Sequence, residues 1–457
     1  MADKVPTSRL LRGSRLGQVA AGRAIRNAGT RLSMVGRSEE VRARLSEQSA
    51  IAAADQLVTV LGGMKGVAMK LGQMLSILDL DLVPENHRDE FQRKLAALRD
   101  QAPTTSFETM SAVIEADYGR PLSEVFAEFD SEAVAAASIG QVYRARLHDG
   151  REVAVKVQYP GIDAAIRADL KNLTMFLKIW RSSVPSFSMP PLLEELQLNF
   201  EGELDYEREA QTQHRIAATY ADHPFIAVPD SLPELSTRRV LVSEFFEGTS
   251  FSQIRSLPQH ERNRIGEILF RFYIGSLYRY HEFCGDPHPG NVLLGTDGRV
   301  GFVDFGLFNS MDAEHVEFEK RCLRAATEGR ADDLYALMVR RGVISRAAEV
   351  TPDECLEYVF AAAEWNLVDE EIAITPEMAN AGFLLAIDPR AAEFSGMKSQ
   401  TLPPEHLFSR RAEFLTFGVL GQLDACANWH RISREWTYGD PAATELGVAE
   451  EKWRPSR

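Results

Sequence analysis

Apolar residues recur at helical spacing through the first part of the chain. Over residues 50–100, Leu, Met, Ala and Val return every three or four positions, which predicts a helical block. Pro84 and Pro103 mark the end of this block, since proline cannot continue a helix. Residues 107–118 predict one more short helix, which stops before Gly119.

Alternation of apolar and polar residues then predicts a small sheet. The predicted strands are residues 123–130, 139–147, 152–158 and 238–248. The sequence His-Asp-Gly-Arg at residues 148–151 predicts a hairpin between the second and third strands, because glycine accepts a positive φ. Helical spacing returns over residues 162–181 and 191–219, and from about residue 250 onward it is interrupted only by residues 283–306. A small β-containing lobe followed by a larger helical lobe is therefore expected.

Composition and charge narrow the class of protein. Of the 457 residues, 45% are apolar and 26% are charged, which is typical of a folded protein in water. The sequence contains no run of about 18 uncharged apolar residues, so it predicts no transmembrane helix. The four cysteines are widely spaced and form no C-x-x-C pair, which favours a reducing compartment and argues against a zinc site. The net charge of −15 argues against general nucleic-acid binding.

The charge is unevenly distributed along the chain. Residues 1–50 hold ten basic and four acidic residues, a local balance of +6 that leaves −21 for the rest. Apolar residues recur among the arginines of residues 8–32, which favours a helix on an anionic membrane surface or on a partner. The same composition fits a transit peptide or a loosely ordered basic tail, and the sequence leaves these alternatives open.

The stretch FCGDPHPGNVLLGTDGRVGFVDFG, residues 283–306, places three oxygen-bearing side chains around one predicted hairpin. Strand-loop-strand geometry would bring Asn291 and Asp304 together, and an amide oxygen with a carboxylate is a ligand set that suits Mg²⁺. Asp286 would lie nearby, where it would orient or deprotonate a hydroxyl group or a water. His288, between two prolines, is interpreted as a residue that shapes the loop by hydrogen bonding.

Lys156 lies in an alternating strand, where the ordinary interpretation is a lysine on the solvent side. Two neighbouring features favour phosphate binding instead. The segment AVAAASIGQ, residues 133–141, is predicted to be a turn whose small residues let backbone amides approach phosphates. Glu209 lies in a predicted helix and would hold the Lys156 ammonium against a phosphate, although an acidic helix on its own indicates a solvated face.

Taken in order, a strand lysine, a helix glutamate, a D-x₄-N loop and Asp-Phe-Gly resemble a protein-kinase-like ATP-binding fold. More narrowly, the chain resembles the UbiB-type atypical kinases, the aarF-domain family associated with coenzyme Q biosynthesis. The resemblance rests on KLGQ at residues 70–73 for the family's KxGQ motif, AAASIGQV for its alanine-rich loop, ELD at residues 203–205 for its ExD motif, and GDPHPGN with VDFG. It covers roughly residues 50–310 and is looser outside them.

This resemblance implies an α+β, protein-kinase-like bilobal fold, with an N-terminal helical extension that carries KxGQ and packs over the cleft. It divides the chain into a basic tail (1–48), the helical extension (49–120), a small ATP-binding lobe (121–248) and a large helical lobe with the catalytic loop (249–457).

The resemblance also implies roles for individual residues. Lys156 would bind the phosphates of ATP or ADP and pair with Glu209, Asn291 and Asp304 would hold Mg²⁺, and Asp286 would be the catalytic base. The other residues expected to contact the nucleotide or its lid are Ala136, Ala137, Ser138, Ile139, Gly140, Glu244, Phe246, Lys70, Gln73, Glu203 and Asp205. Cys284 and Gly285 replace the His-Arg of ordinary kinases, which argues against regulation by a phosphorylated loop.

Because the KxGQ helices would cover the place where a protein substrate docks, the expected activity is ATP hydrolysis or phosphorylation of a small or lipid-like molecule. The expected partners are ATP, a lipid or quinone-precursor ligand and an anionic membrane surface, with no nucleic acid. One alternative is a phosphotransferase of the aminoglycoside- or choline-kinase type, which has a similar D-x-H-x-x-N loop. Another is a non-catalytic nucleotide switch. The expected location is the cytoplasm with peripheral membrane contact, whereas a transit peptide would indicate a mitochondrion or plastid.

Overall fold

The computed structural model describes residues 105–180, 202–344, 350–379 and 403–454. The predicted basic tail, the helical block at 50–100 and the KxGQ residues Lys70 and Gln73 lie outside these ranges. The chain forms two compact units. The first contains residues 1–210 and 232–245, and the second contains residues 211–231 and 246–457. The four predicted segment boundaries stay predictions.

The first unit is built on a four-stranded antiparallel sheet with the strand order β1-β2-β3-β5. Its strands are β1 (Phe126–Ala136), β2 (Gly140–Leu147), β3 (Glu152–Gln158) and β5 (Val240–Glu244). Its helices are α1 (Phe107–Tyr118), α2 (Leu122–Val125) and α3 (Ile162–Trp180), and α4 (Tyr206–Thr219) begins in this unit.

The alternation in β3 decides which of its side chains enter the core. Val153, Val155 and Val157 are completely buried, and Lys156, between two of them, points to the opposite face. Lys156 is paired across the sheet with Val142 of β2 and Leu241 of β5, so its backbone is held on both sides. The sheet therefore fixes the base of the lysine side chain.

The strands predicted at 139–147 and 152–158 are confirmed, as is the glycine turn between them, where Gly150 has a φ of 91°. The strand predicted at 123–130 is wrong at its start, because residues after Pro121 form the short helix α2. The alanine-rich segment is only partly a turn, since pairing with β2 extends β1 as far as Ala136. The strand predicted at 238–248 is shorter, covering Val240–Glu244.

The second unit combines a four-stranded mixed sheet and two two-stranded sheets with many helices. The four-stranded sheet has the order β4-β9-β8-β6, with β4 parallel to β9 and the other pairs antiparallel, and the pairs β7–β10 and β11–β12 form the two-stranded antiparallel sheets. The strands are β4 (Ile226–Ala227), β6 (Gly248–Ser250), β7 (Glu282–Cys284), β8 (Val292–Gly295), β9 (Val300–Phe302), β10 (Phe308–Ser310), β11 (Ile372–Ala373) and β12 (Cys426–Ala427). The prediction that only residues 283–306 interrupt the helices is therefore wrong, since β6, β10, β11 and β12 lie outside that stretch.

Along the chain, the helices of the second unit lie between its strands and after the last of them. They are α5 (Phe251–Ile254), α6 (Gln259–Phe270), a π-helix (Arg271–Gly275), α7 (Ser276–Tyr280), a 3₁₀ turn (Pro289–Asn291), α8 (Ala313–Thr327), α9 (Ala331–Arg341), α10 (Pro352–Leu367), α11 (Pro404–Leu423), α12 (Trp429–Thr437) and α13 (Glu445–Trp453). Within the described ranges, none of them has the length and hydropathy of a membrane-spanning helix.

Aromatic side chains dominate the core of the second unit. Phe272 of the π-helix stacks on Phe302 of β9 with ring centroids 3.6 Å apart. Phe270 packs edge-to-face against Trp429 of α12 and tilts against Trp436 on the same helix. The segment that runs into the predicted catalytic loop is thus packed on both the small sheet and the C-terminal helices.

A buried cluster of charged side chains joins α13 and α12 to the π-helix. The guanidinium of Arg271, whose side chain is completely buried, donates to Glu267, Glu435, Glu450 and Thr444 at 2.7–3.0 Å. Arg279 also pairs with Glu435 and Glu450. Burial of a charge is unfavourable unless it is matched, so each member of this cluster depends on the others.

Candidate active site

In the first unit, Lys156 and Glu209 form an ion pair. Lys156 Nζ lies 2.9 Å from Glu209 Oε1 and 3.3 Å from Oε2. The Glu209 side chain is 1% exposed and the Lys156 side chain 16%. Lys156 Nζ also lies 4.9 Å from the ring centroid of Tyr206, one turn before Glu209 on α4. The ammonium is therefore held at a defined point while part of it stays accessible.

The turn between β1 and β2 is held tightly against β3. The backbone N–H of Ala137 donates to the carbonyl of Gly140 at 2.8 Å, which closes the turn. A Cβ at Gly140 would overlap the carbonyl oxygen of Val157, so only glycine allows this close approach. Ala136 is exposed, and Ala137 and Ser138 are half-buried. A loop of small residues with a fixed backbone is thus presented beside the strand that carries Lys156.

The ExD residues contact this turn and the start of α4. The hydroxyl of Ser138 donates to Glu203 Oε2 at 3.0 Å, which links the alanine-rich loop to the ExD motif. Asp205 Oδ1 accepts from the backbone N–H of Arg208 at 3.1 Å, in the first turn of the helix that carries Glu209. Asp205 therefore helps to begin α4, whereas Glu203 is directed to the loop.

Three of the residues predicted to contact the nucleotide differ from the others in the exposure or packing of their side chains. The side chain of Ile139 is 1% exposed and belongs to the core, so only its backbone is available to a ligand. Glu244 is exposed at the end of β5. Phe246, in the second unit, packs its ring so closely on Gly301 of β9 that a Cβ there would overlap it.

In the second unit, Asp286, Asn291 and Asp304 lie around the β8–β9 hairpin. Val292 is paired with Phe302, and one position earlier the Val303 backbone N–H donates to the Asn291 carbonyl at 3.2 Å. Asn291 is therefore aligned with Val303, the residue before Asp304, and Asp304 Oδ1 accepts from the backbone N–H of Gly306 at 3.2 Å. An amide oxygen and a carboxylate at one strand end are donors that suit Mg²⁺.

The loop between β7 and the 3₁₀ turn is shaped by hydrogen bonds. His288 Nδ1 accepts from the backbone N–H of Gly290 at 3.0 Å, the loop-shaping contact expected of this histidine. Gly285 donates its N–H to the Leu307 carbonyl at 2.7 Å, and a Cβ there would lie 2.7 Å from Asn309 Nδ2. A side chain at this position would therefore require Asn309 to move.

Tyr273 is a residue that sequence reasoning missed. This tyrosine is 2% exposed, and a hydrogen bond joins its hydroxyl to the backbone of His288. Burial, together with the negative charges of Asp304 and Asp286 and the Cys284 thiol, raises the pKa of Tyr273 well above its usual value. Its hydroxyl therefore stays protonated under the loop. The only sequence signal is its place in the aromatic run FRFY before the loop.

Arg411 is the second missed residue. Its Nη2 donates to Asp286 Oδ1 at 2.9 Å, and the two side chains are 14% and 24% exposed. The guanidinium comes from α11, 125 residues after Asp286 in the chain. Such a pair stabilises the ionised carboxylate and limits its rotation. No local pattern in the sequence could have identified this partner.

Comparisons with known proteins agree with this arrangement. Residues 97–337, more than half of the chain, match the model of the ABC1 atypical kinase-like domain. The mitochondrial atypical kinase COQ8B of Rattus norvegicus is 33% identical over 335 residues, 72% of this chain and 62% of the rat protein. AarF domain-containing protein kinase 1 of Xenopus laevis is 34% identical over 293 residues, 62% of this chain and 55% of that protein. The chain thus spans between half and two thirds of the length of these relatives.

A solved structure is similar over most of the chain. It is the complex of Rv3197 with erythromycin from Mycobacterium tuberculosis, which is 32% identical, covers 88% of this chain and 100% of its own, and has a TM-score of 0.62. Several relatives are named as mitochondrial or chloroplastic, which does not support the predicted cytoplasmic location. The kinase-like α+β fold, the matched domain and these identities agree with the motifs, and the chain belongs to the ABC1, or UbiB-type, atypical kinase-like family.

Proposed function

We propose that this chain binds ATP with Mg²⁺ and acts as an atypical kinase or ATPase in support of isoprenoid-quinone (coenzyme Q) or lipid metabolism. The observation that carries the proposal is the ion pair between Lys156 and the buried carboxylate of Glu209, 2.9 Å apart. A buried carboxylate beside a partly accessible ammonium positions that charge for an anionic ligand. The names of relatives such as the COQ8 kinases support the link to quinone metabolism.

The phosphate-binding role falls to the first unit. Lys156 would contact the α- and β-phosphates of ATP, as the kinase-like family implies. The backbone of the turn at Ala137 and Ser138 would approach the phosphates, because its small side chains leave the amides accessible. Glu203 would orient the turn through Ser138.

The metal and proton-transfer roles fall to the second unit. Asn291 and Asp304 would hold Mg²⁺, and their oxygen donors fit an ion that prefers hard ligands and keeps waters or phosphate oxygens. When bound, this ion neutralises charge on the phosphates. Asp286, paired with Arg411 at 2.9 Å, would orient and deprotonate the acceptor hydroxyl or water.

The proposed acceptor is water or a small lipid-like or quinone-precursor molecule rather than a protein. This part of the proposal rests on the KxGQ motif of the UbiB-type family, whose residues Lys70 and Gln73 lie outside the described ranges. The basic segment 1–48 would bring the chain to an anionic membrane, where such acceptors are found. Removal of residues 1–40 should reduce binding to vesicles that contain anionic lipid, and undiminished binding would contradict this role.

The test of the proposed activity is phosphate release from Mg-ATP by the purified chain, alone and with anionic vesicles or phenolic quinone precursors. Asp286→Asn should bind Mg-ATP normally and release phosphate about 10²- to 10⁴-fold more slowly, the usual loss for a general base. Asp304→Asn should weaken nucleotide binding in the presence of Mg²⁺. The matched control is Asp297→Asn, in the exposed turn of the same hairpin, where the side chain pairs with its neighbour Arg299.

The outcomes separate the alternatives. If the chain binds Mg-ATP but releases no phosphate under all of these conditions, the proposed enzymatic activity is refuted and a nucleotide switch is favoured. Phosphorylation of an aminoglycoside or choline would favour the small-molecule phosphotransferase type. Equal rates of phosphate release by Asp286→Asn and Asp297→Asn would contradict the assignment of Asp286 as the catalytic base.

The similarity to a structure solved with erythromycin supports a second candidate, binding of a macrolide. That protein is 32% identical and is covered over its full length. Calorimetric titration of the chain with erythromycin, with and without ADP, tests this candidate. No heat of binding at millimolar antibiotic would exclude it.

A further inference from the structure

A mostly enclosed cavity of about 140 Å³ lies in the second unit among helices α8, α9, α10 and α11. Its walls are largely apolar, and five of the side chains that form them are aromatic: Phe318, Tyr358, Trp365, Phe414 and Phe417. A closed apolar cavity of about 150 Å³ is large enough to bind benzene. Asp286, Asn291 and Asp304 do not line it, so an occupant would not depend on the proposed phosphoryl-transfer site.

One wall of the cavity carries a buried carboxylate, that of Glu319, which is 6% exposed. Its Oε1 accepts from His406 Nδ1 at 2.8 Å and from the Ser409 hydroxyl at 2.7 Å. Its Oε2 accepts from the Tyr278 hydroxyl at 3.5 Å, the outer limit of a hydrogen bond. Within the described residues, Glu319 Oε2 therefore retains most of its capacity to accept.

Three hydrogen-bond donors surround Glu319. His406 Nδ1 faces Glu319 Oε1, and Arg341 Nε donates to His406 Nε2 at 3.3 Å on the other side of the ring. The other two donors are the hydroxyls of Ser409 and Tyr278.

The two nearby guanidinium groups, those of Arg341 and Arg410, each form an ion pair with another carboxylate. Arg341 pairs with Glu405, and Arg410 Nη1 lies 2.8 Å from Glu413 Oε2. The Arg410 and Glu413 side chains are 33% and 24% exposed, so water partly screens this pair. Although burial raises the pKa of Glu319, hydrogen bonds from His406 and Ser409 and the charge of Arg410 lower it overall. The carboxylate is thus ionised at neutral pH.

We propose that this cavity binds a small primary ammonium ion with an aromatic or cyclic apolar body, whose ammonium donates to Glu319 Oε2. The apolar body would fill the aromatic space, where ring faces also attract a cation. The ammonium would donate directly to a carboxylate whose hydrogen bonds otherwise come from His406, Ser409 and Tyr278. Helix α10 has a break at Ala363, a wall residue with φ −131° and ψ 16°.

Calorimetric titration of the full chain with three probes of one shape tests the proposal. Benzylamine is cationic at neutral pH, benzyl alcohol is neutral and benzoate is anionic. We expect benzylamine to bind at least about tenfold more tightly than benzyl alcohol, and benzoate not to bind. Equal affinity for all three probes, or no binding of benzylamine at millimolar concentration, would overturn the proposal.

Two variants locate the binding. Glu319→Gln should remove the preference for benzylamine over benzyl alcohol, while Glu317→Gln, an exposed acidic residue on the same helix, should keep it. Val359→Phe leaves Glu319 intact but fills part of the cavity, so it should abolish binding of both probes. If Val359→Phe binds benzylamine as the natural chain does, the ligand lies elsewhere and the proposal fails, even if Glu319→Gln does not fold.

Discussion

Replacement of Arg271 by methionine should cost far more stability than the loss of an exposed arginine with similar contacts. Arg271 donates to three carboxylates and one hydroxyl at 2.7–3.0 Å, and its side chain is completely buried. Methionine fills similar volume but removes the guanidinium that pairs with Glu267, Glu435 and Glu450, of which Glu435 and Glu450 also pair with Arg279. Removing one partner of a buried ion pair costs about 3–5 kcal/mol of unfolding free energy.

Arg431→Met is the matched control. Arg431 also makes a two-pronged contact with a carboxylate, that of Asp369, at 2.6 and 3.2 Å, but the side chains are 62% and 50% exposed. An exposed pair contributes about 0.2–1 kcal/mol because water and salt screen it. The comparison therefore contrasts a buried arginine that contacts three carboxylates with an exposed arginine that contacts one.

The measurement is equilibrium unfolding in urea, followed by tryptophan fluorescence. Trp429 and Trp436 lie on α12, the helix that Arg271 holds through Glu435, and both are buried. The urea midpoint should fall strongly for Arg271→Met and little for Arg431→Met. Equal midpoints for the two variants, or a loss below about 1 kcal/mol for Arg271→Met, would refute the assignment of this cluster as a stabilising centre.

A second substitution tests the same cluster without removing a charge. A Cβ added at Gly447 of α13 would lie 2.7 Å from both Arg271 Nη2 and Glu435 Oε1. Gly447→Ala should therefore cost about 1–3 kcal/mol, as overpacking usually does, although alanine favours a helix more than glycine. A gain in stability would show that the guanidinium is not confined as the structure has it.

Three further predictions concern Glu450, Arg411 and Gly140. Burial raises the pKa of Glu450, but His223, Arg279 and Arg271 lower it from 4.5 to about 2. Its contribution to stability should thus be complete above about pH 4.5 and lost as the pH falls towards 2, and Glu450→Gln should flatten that part of the stability curve. Arg411→Met should slow phosphate release roughly 10²-fold, because Asp286 loses its orienting partner. Nucleotide affinity should not change. An unaltered rate of phosphate release would show that the Arg411–Asp286 pair does not contribute to catalysis. Gly140→Ala should destabilise the chain by about 1–3 kcal/mol in urea, whereas Gly418→Ala, with open space around its Cα, should be neutral or stabilising.

Local patterns were sufficient for much of the first unit. Alternation correctly predicts β2 and β3, and the glycine at position 150 correctly predicts the turn between them. The helix predicted at 107–118 is likewise confirmed by the structure. The start of β1 is wrong because the residues after Pro121 form a helical turn, and its end is wrong because pairing with β2 continues through the alanines. A strand end depends on its partner, which a single segment does not contain.

Motif residues were identifiable from the sequence because each lies in a short, recognisable string. KLGQ, AAASIGQV, ELD, GDPHPGN and VDFG led to the UbiB-type family, which the comparisons show. The roles assigned to Lys156, Glu209, Asp286, Asn291 and Asp304 remain predictions that the proposed assays test. The structure adds the distances and burial that make these tests specific.

By itself, the sequence determined the family, the kinase-like α+β class and the residues expected to handle phosphate and metal, since these follow from local strings and spacing. Only the tertiary structure decided which distant side chains support them. Arg411 reaches Asp286 across 125 residues, and the apolar cavity beside Glu319 lies among four helices. Such contacts exist only after helices pack, because burial in three dimensions, and not distance along the chain, determines which charges must be matched.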